Sequence, residues 1–358
     1  MKTLREIEAK RLDEARQQAF READRAAGVP GLCARLDWDD PTLSILKLRE
    51  ATSESAMPQL LRAGVQQFLF DAYKQVEVVF PDVVRVVNST KYEELYGPLY
   101  GPEMPRQVDP GQPFEDSRLI GQDIRLKNIK IGRTLGFERE LIDDDQTGQI
   151  QVRAGQMGER TRIYEEQTVM NVIVAGGAKG YTTTIGNVGN RGSGSDLTQP
   201  SLEAADIALQ TIKDPLGNLY LVQPNTLLVG PENKFNAAKL LQSALQPSVP
   251  GASGQTASTA GSGGTGYVNT FNPLQGLYDL KVSRYLAKAF VTGLDNTTGA
   301  WLLLEAGKAV VLQDRDPLEV AMEAPNSGQA FNTDTYRYRV RRRFNAGVLD
   351  SSFGFRGN

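Results

Sequence analysis

One uninterrupted helical segment constrains this chain more than any other feature. Residues 149–175 read QIQVRAGQMGERTRIYEEQTVMNVIVA, without a proline, and Gly176 and Gly177 follow as a helix stop. At 1.5 Å per residue, a helix over this range is roughly 40 Å long. A helix of that length predicts a spine along a flat or elongated domain.

The segment before this predicted spine helix alternates in polarity. Residues 118–141 read RLIGQDIRLKNIKIGRTLGFEREL, with the period of two that is typical of strands. Because Asn128 and Gly132 are residues that turns favour, the segment predicts one or two long β-ribbon arms, with an ordinary hairpin inside a sheet as the alternative. The segment is basic, and its cationic residues are Arg118, Arg125, Lys127, Lys130, Arg133 and Arg139.

A proline-dense segment precedes the ribbon. Residues 97–113, GPLYGPEMPRQVDPGQP, contain prolines at positions 98, 102, 105, 110 and 113. This density excludes a helix or a central strand and favours an extended arm. Upstream, apolar spacing predicts a helix that starts at a Thr3 cap and stops at Gly28, an irregular connector over residues 31–57, and a helix from about Pro58 to Tyr73.

After the spine helix the pattern changes to α/β. It predicts a helix over residues 202–212, a short strand over 226–229, a helix that Pro231 opens, and strand-like or buried character from Trp301 to Val311. The stretch PGASGQTASTAGSGGTG at residues 250–266 is flexible by composition.

The C-terminal segment begins with strict alternation. Within residues 335–355, TYRYRVRRRFNAGVLDSSFGF, one face carries two tyrosines and Val340, and the other carries Arg337, Arg339 and Arg341. The apolar residues of 318–322 predict an antiparallel partner strand. The arginines suit either phosphate binding or, as the favoured interpretation, pairing with carboxylates on a neighbouring element or subunit.

The composition excludes most catalytic chemistry. The 358 residues include no histidine and one cysteine, Cys33. Histidine-dependent triads and dyads, histidine-ligated metals, internal disulfides and cysteine-ligated clusters are therefore excluded. We predict no cofactor and no metal site, and the chemistry that stays open is that of carboxylates, lysine, serine or hard cations.

Two motifs fail on their context. GSGGTG at residues 261–266 matches a dinucleotide-binding pattern, but it neither follows a strand nor precedes a helix. Asp143, Asp145 and Thr147 fit ligand positions of an EF-hand loop, but Ala154 stands where the bidentate glutamate is required. The better interpretation of the acidic residues is a helix start that complements the helix dipole.

Charge and hydropathy point to no further partner. Lys plus Arg total 40 and Asp plus Glu total 43, so the formal net charge of −3 gives no overall attraction to nucleic acid or membrane. No run approaches the ~20 apolar residues of a membrane span, and the N-terminus MKTLREIEAKRLDEARQ lacks the apolar core of a signal peptide. The length predicts about two domains, in a protein that is made and kept in a cytoplasm.

The order of these elements resembles the major capsid protein of tailed double-stranded-DNA bacteriophages. That protein has the Hong Kong 97-like α+β fold, which encapsulin shells share. The local likeness is closest to Mu-like major head subunits. It lies in IRLKNIKIGRTLGFERELIDDDQTGQI and the spine helix after it, in NTLLVGPENKFNAAKLL, and in the ending RYRVRRRFNAGVLDSSFGF, and it covers roughly residues 60–358.

The resemblance implies an architecture. Residues 1–113 would form an N-terminal arm with helices, and 114–148 an extended β-ribbon loop. Residues 149–200, with the spine helix, and 315–358, with the closing strands, would form the peripheral domain. Residues 201–314 would form an axial α/β domain around the capsomer axis.

The resemblance also implies a structural protein rather than an enzyme. It would assemble with itself into the hexamers and pentamers of an icosahedral head, enclose DNA non-specifically, and meet portal, scaffolding and decoration proteins but no membrane. It would reside in the virion capsid after assembly in the host cytoplasm. Since the sequence begins at Met1, we expect a separate scaffolding protein rather than a cleaved N-terminal domain.

Basic residues are the candidates for contacts between subunits. We expect them to pair with acids on an adjacent subunit, with its spine helix as one location. The candidates are Arg125, Lys127, Lys130, Arg133, Arg337, Arg339 and Arg341. Lys127 and Lys130 match the region where some relatives form a lysine–asparagine cross-link, but no acceptor is identified and that chemistry is not carried over.

Three alternatives stay open at this point. The first is an encapsulin-like nanocompartment shell, which encloses a cargo enzyme instead of DNA. The second is a carboxylate-dependent enzyme of two α/β domains. The third is a nucleic-acid-binding protein that uses Arg341, Arg342 and Arg343.

Overall fold

The computed structural model describes residues 57–96, 104–114, 116, 124–138, 140, 149–175, 191–192, 196–213, 217–247, 269–290, 299–323, 333 and 335–357, and seven helical positions between Lys10 and Arg21. Cys33, the acidic run Asp143–Asp145 and the Gly/Ser-rich stretch 250–266 lie outside the described residues. What the sequence indicates for these residues therefore stays a prediction.

The described residues form the following elements. The helices are α1 (Met57–Gln75), α2 (Phe80–Val83), α3 (Gln149–Ala175), α4 (Gln199–Gln210) and α5 (Lys234–Gln242). The strands up to residue 247 are β1 (Arg85–Asn88), β2 (Glu93–Tyr96), β3 (Ile124–Lys127), β4 (Ile129–Glu138), β5 (Arg191–Gly192), β6 (Thr226–Val229) and β7 (Leu245–Pro247). The later strands are β8 (Asn269–Phe271), β9 (Asp279–Val282), β10 (Trp301–Leu304), β11 (Val310–Met322), β12 (Thr335–Val348) and β13 (Gly354–Gly357).

The spine helix α3 has the predicted bounds, and it packs closely against a second helix, α1. Helices α1 and α3 pack against each other along one face of a four-stranded sheet. The crossing is tight at Gly158 of α3, where any Cβ would overlap the carbonyl oxygen of Leu69 in α1. The predicted second helix is confirmed as α1, with slightly wider bounds.

The four-stranded sheet has the order β1-β11-β12-β4. Strand β1 runs parallel to β11, and the other neighbours are antiparallel. The predicted pairing of the C-terminal strand is confirmed, because Val320 lies opposite Val340 and Met322 opposite Tyr338. The helix-covered face carries Tyr338, Val340 and other buried residues, including Arg342, while Arg337, Arg339 and Arg341 alternate with them on the opposite face, as predicted.

The five-stranded sheet has the order β5-β13-β10-β6-β9. Its strand β10 is buried at all four positions because each of its faces packs into a different core. Leu302 and Leu304 join the core that α3 and β12 share, whereas Trp301 and Leu303 join the core beneath α4 and α5. The strand-like or buried character predicted from Trp301 to Val311 is confirmed for Trp301–Leu304 and for Val310 and Val311. A turn at residues 306–308 divides the range, so its two ends belong to different sheets.

The two sheets meet along the spine helix. Arg356 of β13 donates to the carbonyl of Val174, 2.8 Å away near the end of α3. The last strand of the chain therefore belongs to the five-stranded sheet, and β11 of the four-stranded sheet starts at Val310. The chain passes from the five-stranded to the four-stranded sheet between Leu304 and Val310, and it returns between Val348 and Gly354. Neither point coincides with the boundary between residues 314 and 315 that the resemblance implies.

The alternating segment 118–141 forms strands, but its two strands do not pair with each other. Strand β3 pairs with β2, which precedes the proline-rich segment, and β4 pairs with β12. The expected turns at Asn128 and Gly132 are wrong, because Asn128 is buried between the two strands and Gly132 lies inside β4 opposite Arg341. Long-range partners have overridden the local turn preference of both residues.

Candidate functional site

The outer face of the four-stranded sheet, opposite the helices, carries a row of cations. Strand register places Lys130 of β4 opposite Arg343 of β12, and Gly132 opposite Arg341. Arg337 and Arg339 continue the same face along β12, because alternate residues of a strand point to one side. We call this set of Lys130, Arg337, Arg339, Arg341 and Arg343 the basic sheet face.

Carboxylates of β11 neutralise one end of the basic sheet face. Asp316 lies 3.2 Å from Arg341 and 3.6 Å from Arg343, and Glu319 lies 3.6 Å from Arg341. The favoured interpretation, that the arginine side of the strand meets carboxylates on a neighbouring element, is confirmed for Arg341 and Arg343. These ion pairs are partly exposed, so each contributes little to stability.

The other end of the basic sheet face has no such neutralisation. Within the described part of the chain, neither Arg337 nor Arg339 forms an ion pair, and the same holds for Lys130. Arg339 and Lys130 are exposed and Arg337 is half-buried. This end therefore presents cationic groups that the described residues of the subunit do not pair.

The remaining predicted cations lie elsewhere. Arg125 and Lys127 are exposed on β3, where Lys127 is opposite Glu93 of β2 without an ion pair among the described residues. Arg133 is exposed on β4 but is opposite Val340, so it belongs to the helix-covered side of the sheet. The structure thus brings Lys130 together with the β12 arginines and separates Arg133 from them.

A buried charged cluster lies directly beneath the basic sheet face. Its members are Tyr73 of α1, Arg162 and Glu165 of α3, Asp314 of β11 and Arg342 of β12. Glu165 is 1% exposed, and its carboxylate accepts from the Tyr73 hydroxyl at 2.6 Å and lies 2.6 Å from Arg342. Arg162 donates to Glu165 at 3.1 Å and to the Tyr73 oxygen at 2.9 Å. Arg342 also donates to the Tyr73 oxygen.

Asp314 extends the buried charged cluster to the N-terminal region. One of its oxygens lies 3.8 Å from Arg342, and the other accepts from Arg11 at 2.7 Å. Arg11 also donates to the side-chain oxygen of Asn88 at 3.1 Å. These contacts join Arg11, Asn88, Asp314 and Arg342, which are distant in sequence. Because an unpaired buried charge costs free energy, the contacts of Asp314 and Arg342 stabilise this arrangement.

Sequence reasoning did not identify the buried charged cluster. A signal for one member was present: strict alternation of β12 puts Arg342 on the apolar face, between Val340 and Phe344. An arginine at such a position requires a buried carboxylate. No local pattern identifies Glu165 as that carboxylate, because it lies 177 positions away on another element.

A cleft of about 950 Å³ lies between the end of α1 with the segment that follows it, α3, and residues 281–285 at the end of β9. Glu166 lines it and bridges its two sides, since one oxygen accepts from the backbone N–H groups of Val79 and Phe80 at 3.0 and 3.1 Å. The other oxygen accepts from the Ser283 hydroxyl at 3.0 Å. Burial raises the pKa of Glu166 above its ordinary value, against the opposing effect of these hydrogen bonds.

The described residues contain neither a candidate metal site nor a candidate membrane-spanning helix. They contain no group of three or more histidine, cysteine, aspartate or glutamate side chains arranged to hold a metal ion. Among them there is also no helix with the length and apolar content that a membrane span needs.

Comparison with solved structures defines the class of protein. The fold resembles the capsid of a native GTA particle, with a TM-score of 0.51 and 12% identity over 77% of this chain and 87% of that one. It also resembles the mature capsid of bacteriophage PhiM1, with a TM-score of 0.50 and 11% identity over 79% and 87%. The α+β fold is therefore the Hong Kong 97-like fold of phage capsid proteins.

The sequence gives the family. The model for the phage capsid protein family matches residues 122–357, so this chain belongs to that family. The model for the Mu-like prophage major head subunit matches residues 59–184. No curated protein matches the chain significantly. The chain is thus a major capsid protein, a structural subunit of a virion rather than an enzyme.

Proposed function

We propose that the chain assembles into the hexamers and pentamers of an icosahedral phage head, and that exposed basic residues join adjacent subunits. The observation that carries this proposal is the set of cations that form no ion pair within the described part of the subunit. These are Arg125, Lys127, Lys130, Arg133, Arg337 and Arg339. Arg341 is already paired with Asp316 and Glu319 of its own subunit, and we include it in the subunit contact together with these two partly exposed carboxylates.

The ribbon of β2 and β3 gives these contacts their reach. Among the described residues, its two strands pair with each other along four residue pairs and contact β12 at the base. Exposed Tyr92 and Leu95 add apolar surface to it, and the proline-rich segment between its strands exposes Met104 and Phe114. Large exposed apolar side chains beside unpaired charges are typical of contact surfaces.

Further partners belong to the same proposal. The head encloses double-stranded DNA non-specifically, and portal, scaffolding and decoration proteins bind the shell or its precursor, which assembles in the host cytoplasm. The division into an arm (1–113), a ribbon loop (114–148), a peripheral domain (149–200 and 315–358) and an axial domain (201–314) is part of it. The strand partners of β2 and β13 favour shifting two boundaries, so that the ribbon begins near residue 93 and the axial domain includes 354–357.

Electron microscopy of the purified full-length protein tests the proposal. We expect closed icosahedral particles that contain DNA when they are isolated from a phage lysate. A protein that stays a monomer or dimer at high concentration contradicts it. Particles that contain a cargo enzyme and no DNA contradict the phage-head function and support a nanocompartment shell.

Charge reversal tests the role of the ribbon and the adjoining edge strand. Lys127→Glu combined with Arg133→Glu replaces two exposed cations that make no ion pair within the described residues. We expect a lower yield of particles with an unchanged melting temperature of the free subunit, because the contacts that are lost lie between subunits. The control is Lys127→Arg with Arg133→Lys, which keeps both charges. Equal particle yields from reversal and control would show that these cations do not join subunits.

A further inference from the structure

The β2–β3 ribbon leaves the four-stranded sheet at one well-defined level. Strand β1 pairs with β11 as far as Asn88, and the Ser89 N–H extends this pairing with a 2.9 Å bond to the Asp314 carbonyl. On the returning strand, β3 ends at Lys127 and β4, which pairs with β12, begins at Ile129. The two strands therefore change partners at residues 89–92 and at Asn128.

Asn128 joins the two sides of this exchange. Its side-chain amide donates to the Ser89 hydroxyl at 2.9 Å and to the Lys91 carbonyl at 2.8 Å. Its backbone N–H donates to the Tyr92 carbonyl at 3.0 Å. Asn128 is buried, so these bonds form away from competing water.

Ser89 connects the same point to the sheet. Its hydroxyl oxygen accepts from the side-chain amide of Gln313 in β11 at 2.9 Å. The hydroxyl lies 3.1 Å from a carboxylate oxygen of Glu94 in β2, to which it can donate. Ser89 is itself buried, and Gln313 is fully buried. A chain of side-chain bonds thus runs from the sheet to the ribbon.

Glu94 fixes the turn between β1 and β2. The same oxygen that faces Ser89 also accepts from the backbone N–H groups of Thr90 and Lys91, both at 3.2 Å. These hydrogen bonds lower the pKa of Glu94, and the bond from Lys91 has the largest effect. The geometry places one carboxylate at the bend where the chain enters the ribbon.

An apolar contact completes the base of the ribbon on the β12 side. Leu126 of β3 is buried and packs directly on Gly347, where any Cβ would overlap its side chain. Asn345 of β12 donates to the Lys127 carbonyl at 2.8 Å. The base of the ribbon is therefore fixed against β12 as well as β11.

We infer that Asn128, Ser89 and Glu94 are positioning residues that set the angle at which the ribbon projects from the subunit. They act through the ribbon that they orient. Two antiparallel strands alone make a marginally stable, easily twisted ribbon, so its direction depends on contacts at its base. The inference rests on the proposed function only where it connects ribbon angle to assembly.

The test measures the distance between the ribbon and α3, which changes when the angle of the ribbon changes. In a Cys33→Ser background, spin labels are attached at Leu95→Cys on the ribbon and Val152→Cys on α3, both exposed positions. Full-length labelled subunits are diluted into unlabelled ones, so that only distances within one subunit are recorded. We expect a single narrow distance peak in the parent protein and its loss in Asn128→Ala and in Ser89→Ala.

Matched variants separate positioning from general destabilisation. Asn236→Ala deletes a comparable hydrogen bond in helix α5, where the Asn236 side-chain amide donates to the Leu197 carbonyl at 2.6 Å. This bond does not involve the ribbon or its base. Glu94→Gln keeps an acceptor oxygen at the bend, whereas Glu94→Ala removes it. We expect the narrow peak to persist in Asn236→Ala and Glu94→Gln and to be lost in Glu94→Ala. An unchanged peak in both Asn128→Ala and Ser89→Ala would overturn the inference.

Particle yield from the same variants is the second readout. Broadened distances together with reduced or misshapen particles support both the inference and the role of the ribbon in assembly. Broadened distances with normal particles support the positioning residues and contradict the role of the ribbon under the proposed function. Lost particles with an unchanged distance peak overturn the positioning role and leave the proposed function standing.

Discussion

At the scale of residues, two buried carboxylates on α3 do different work. Glu165 compensates Arg162 and Arg342 at the centre of the buried charged cluster. Glu166, the next residue, faces the cleft and accepts bonds from Val79, Phe80 and Ser283. Breaking a buried ion pair leaves an uncompensated charge, so substitution of Glu165 is expected to act through its ion pairs. Glu166 is instead expected to act through its hydrogen bonds and its raised pKa.

Glu165→Gln is expected to lower the free energy of unfolding of the unassembled subunit by about 3–5 kcal/mol, because Arg162 and Arg342 lose their compensating charge. Glu159→Gln is the control, an exposed glutamate on the same helix, with an expected change within about 0.5 kcal/mol. Denaturant titration measures both. Equal losses in the two variants would show that the buried cluster does not depend on the Glu165 charge.

Glu166→Gln is expected to change how stability depends on pH. The pKa of Glu166 is raised from 4.5 in the folded state, mainly by burial, so the stability that its proton contributes is complete below pH 4.5 and is lost as pH rises through the raised pKa. The glutamine does not titrate but keeps an acceptor for Val79 and Phe80. The stability of the variant relative to the parent should therefore rise with pH across this window, by at most about 1.4 kcal/mol per pH unit.

Denaturant titration of both proteins at several pH values above 4.5 checks this prediction. Ser283→Ala serves as a control that removes a hydrogen bond to Glu166 without removing its charge. A stability difference between Glu166→Gln and the parent that stays constant with pH would contradict the assignment.

At the scale of elements, the spine helix depends on a close crossing with α1. Gly158 and Gly155 lie one turn apart on α3 and both face α1. A Cβ at position 158 meets the backbone of Leu69, which cannot rotate away. A Cβ at position 155 meets the Ala72 Cβ at 3.6 Å, an ordinary contact. The crossing therefore requires glycine at one of the two positions only.

Gly158→Ala is expected to destabilise the subunit by about 1–3 kcal/mol through overpacking. Gly155→Ala adds the same methyl group on the same helix and is expected to be neutral or to stabilise by up to about 1 kcal/mol, since alanine favours the helix. Thermal unfolding of the free subunits compares the pair. Similar melting temperatures for the two variants would mean that α1 and α3 separate easily at Gly158.

At the scale of the whole molecule, stability and assembly depend on different groups. The charges that hold the four-stranded sheet and its helices together are buried, as for Glu165 and Arg342, which are 1% and 4% exposed at their side chains. Arg337, Arg339 and Lys130, which form no ion pair within the described residues, lie on the opposite face of the four-stranded sheet. A substitution on that face should therefore affect particles more than it affects the folded subunit.

Arg337→Glu combined with Arg339→Glu is expected to reduce particle yield and to weaken its dependence on salt, since contacts between charges are screened by ions. The melting temperature of the free subunit should change little, because neither arginine forms an ion pair among the described residues. Arg337→Lys with Arg339→Lys keeps the charge and should assemble. Normal assembly of the reversed variant would exclude these two residues from subunit contacts.

Local sequence patterns predicted the elements that depend on neighbours in the chain. The proline-free run with a glycine stop gave the spine helix at residues 149–175, and the short apolar run gave β6 at 226–229. Alternation in β12 predicted both its partner residues 318–322 and its arginine face. Together with the resemblance of short sequence segments to Mu-like major head subunits, these patterns predicted the phage capsid family, which the family match over residues 122–357 confirms.

Only the tertiary structure decided which distant elements meet. The pairing of β3 with β2 across the proline-rich segment, the buried bonds of Asn128, and the compensation of Arg342 by Glu165 all join residues that no periodicity connects. The physical reason is that periodicity reports which face of an element is buried, whereas strand partners and charge partners are selected by packing and desolvation in the complete fold. The sequence by itself therefore determined the elements and the family, and the tertiary structure determined how the ribbon is attached and which charges remain free on the surface.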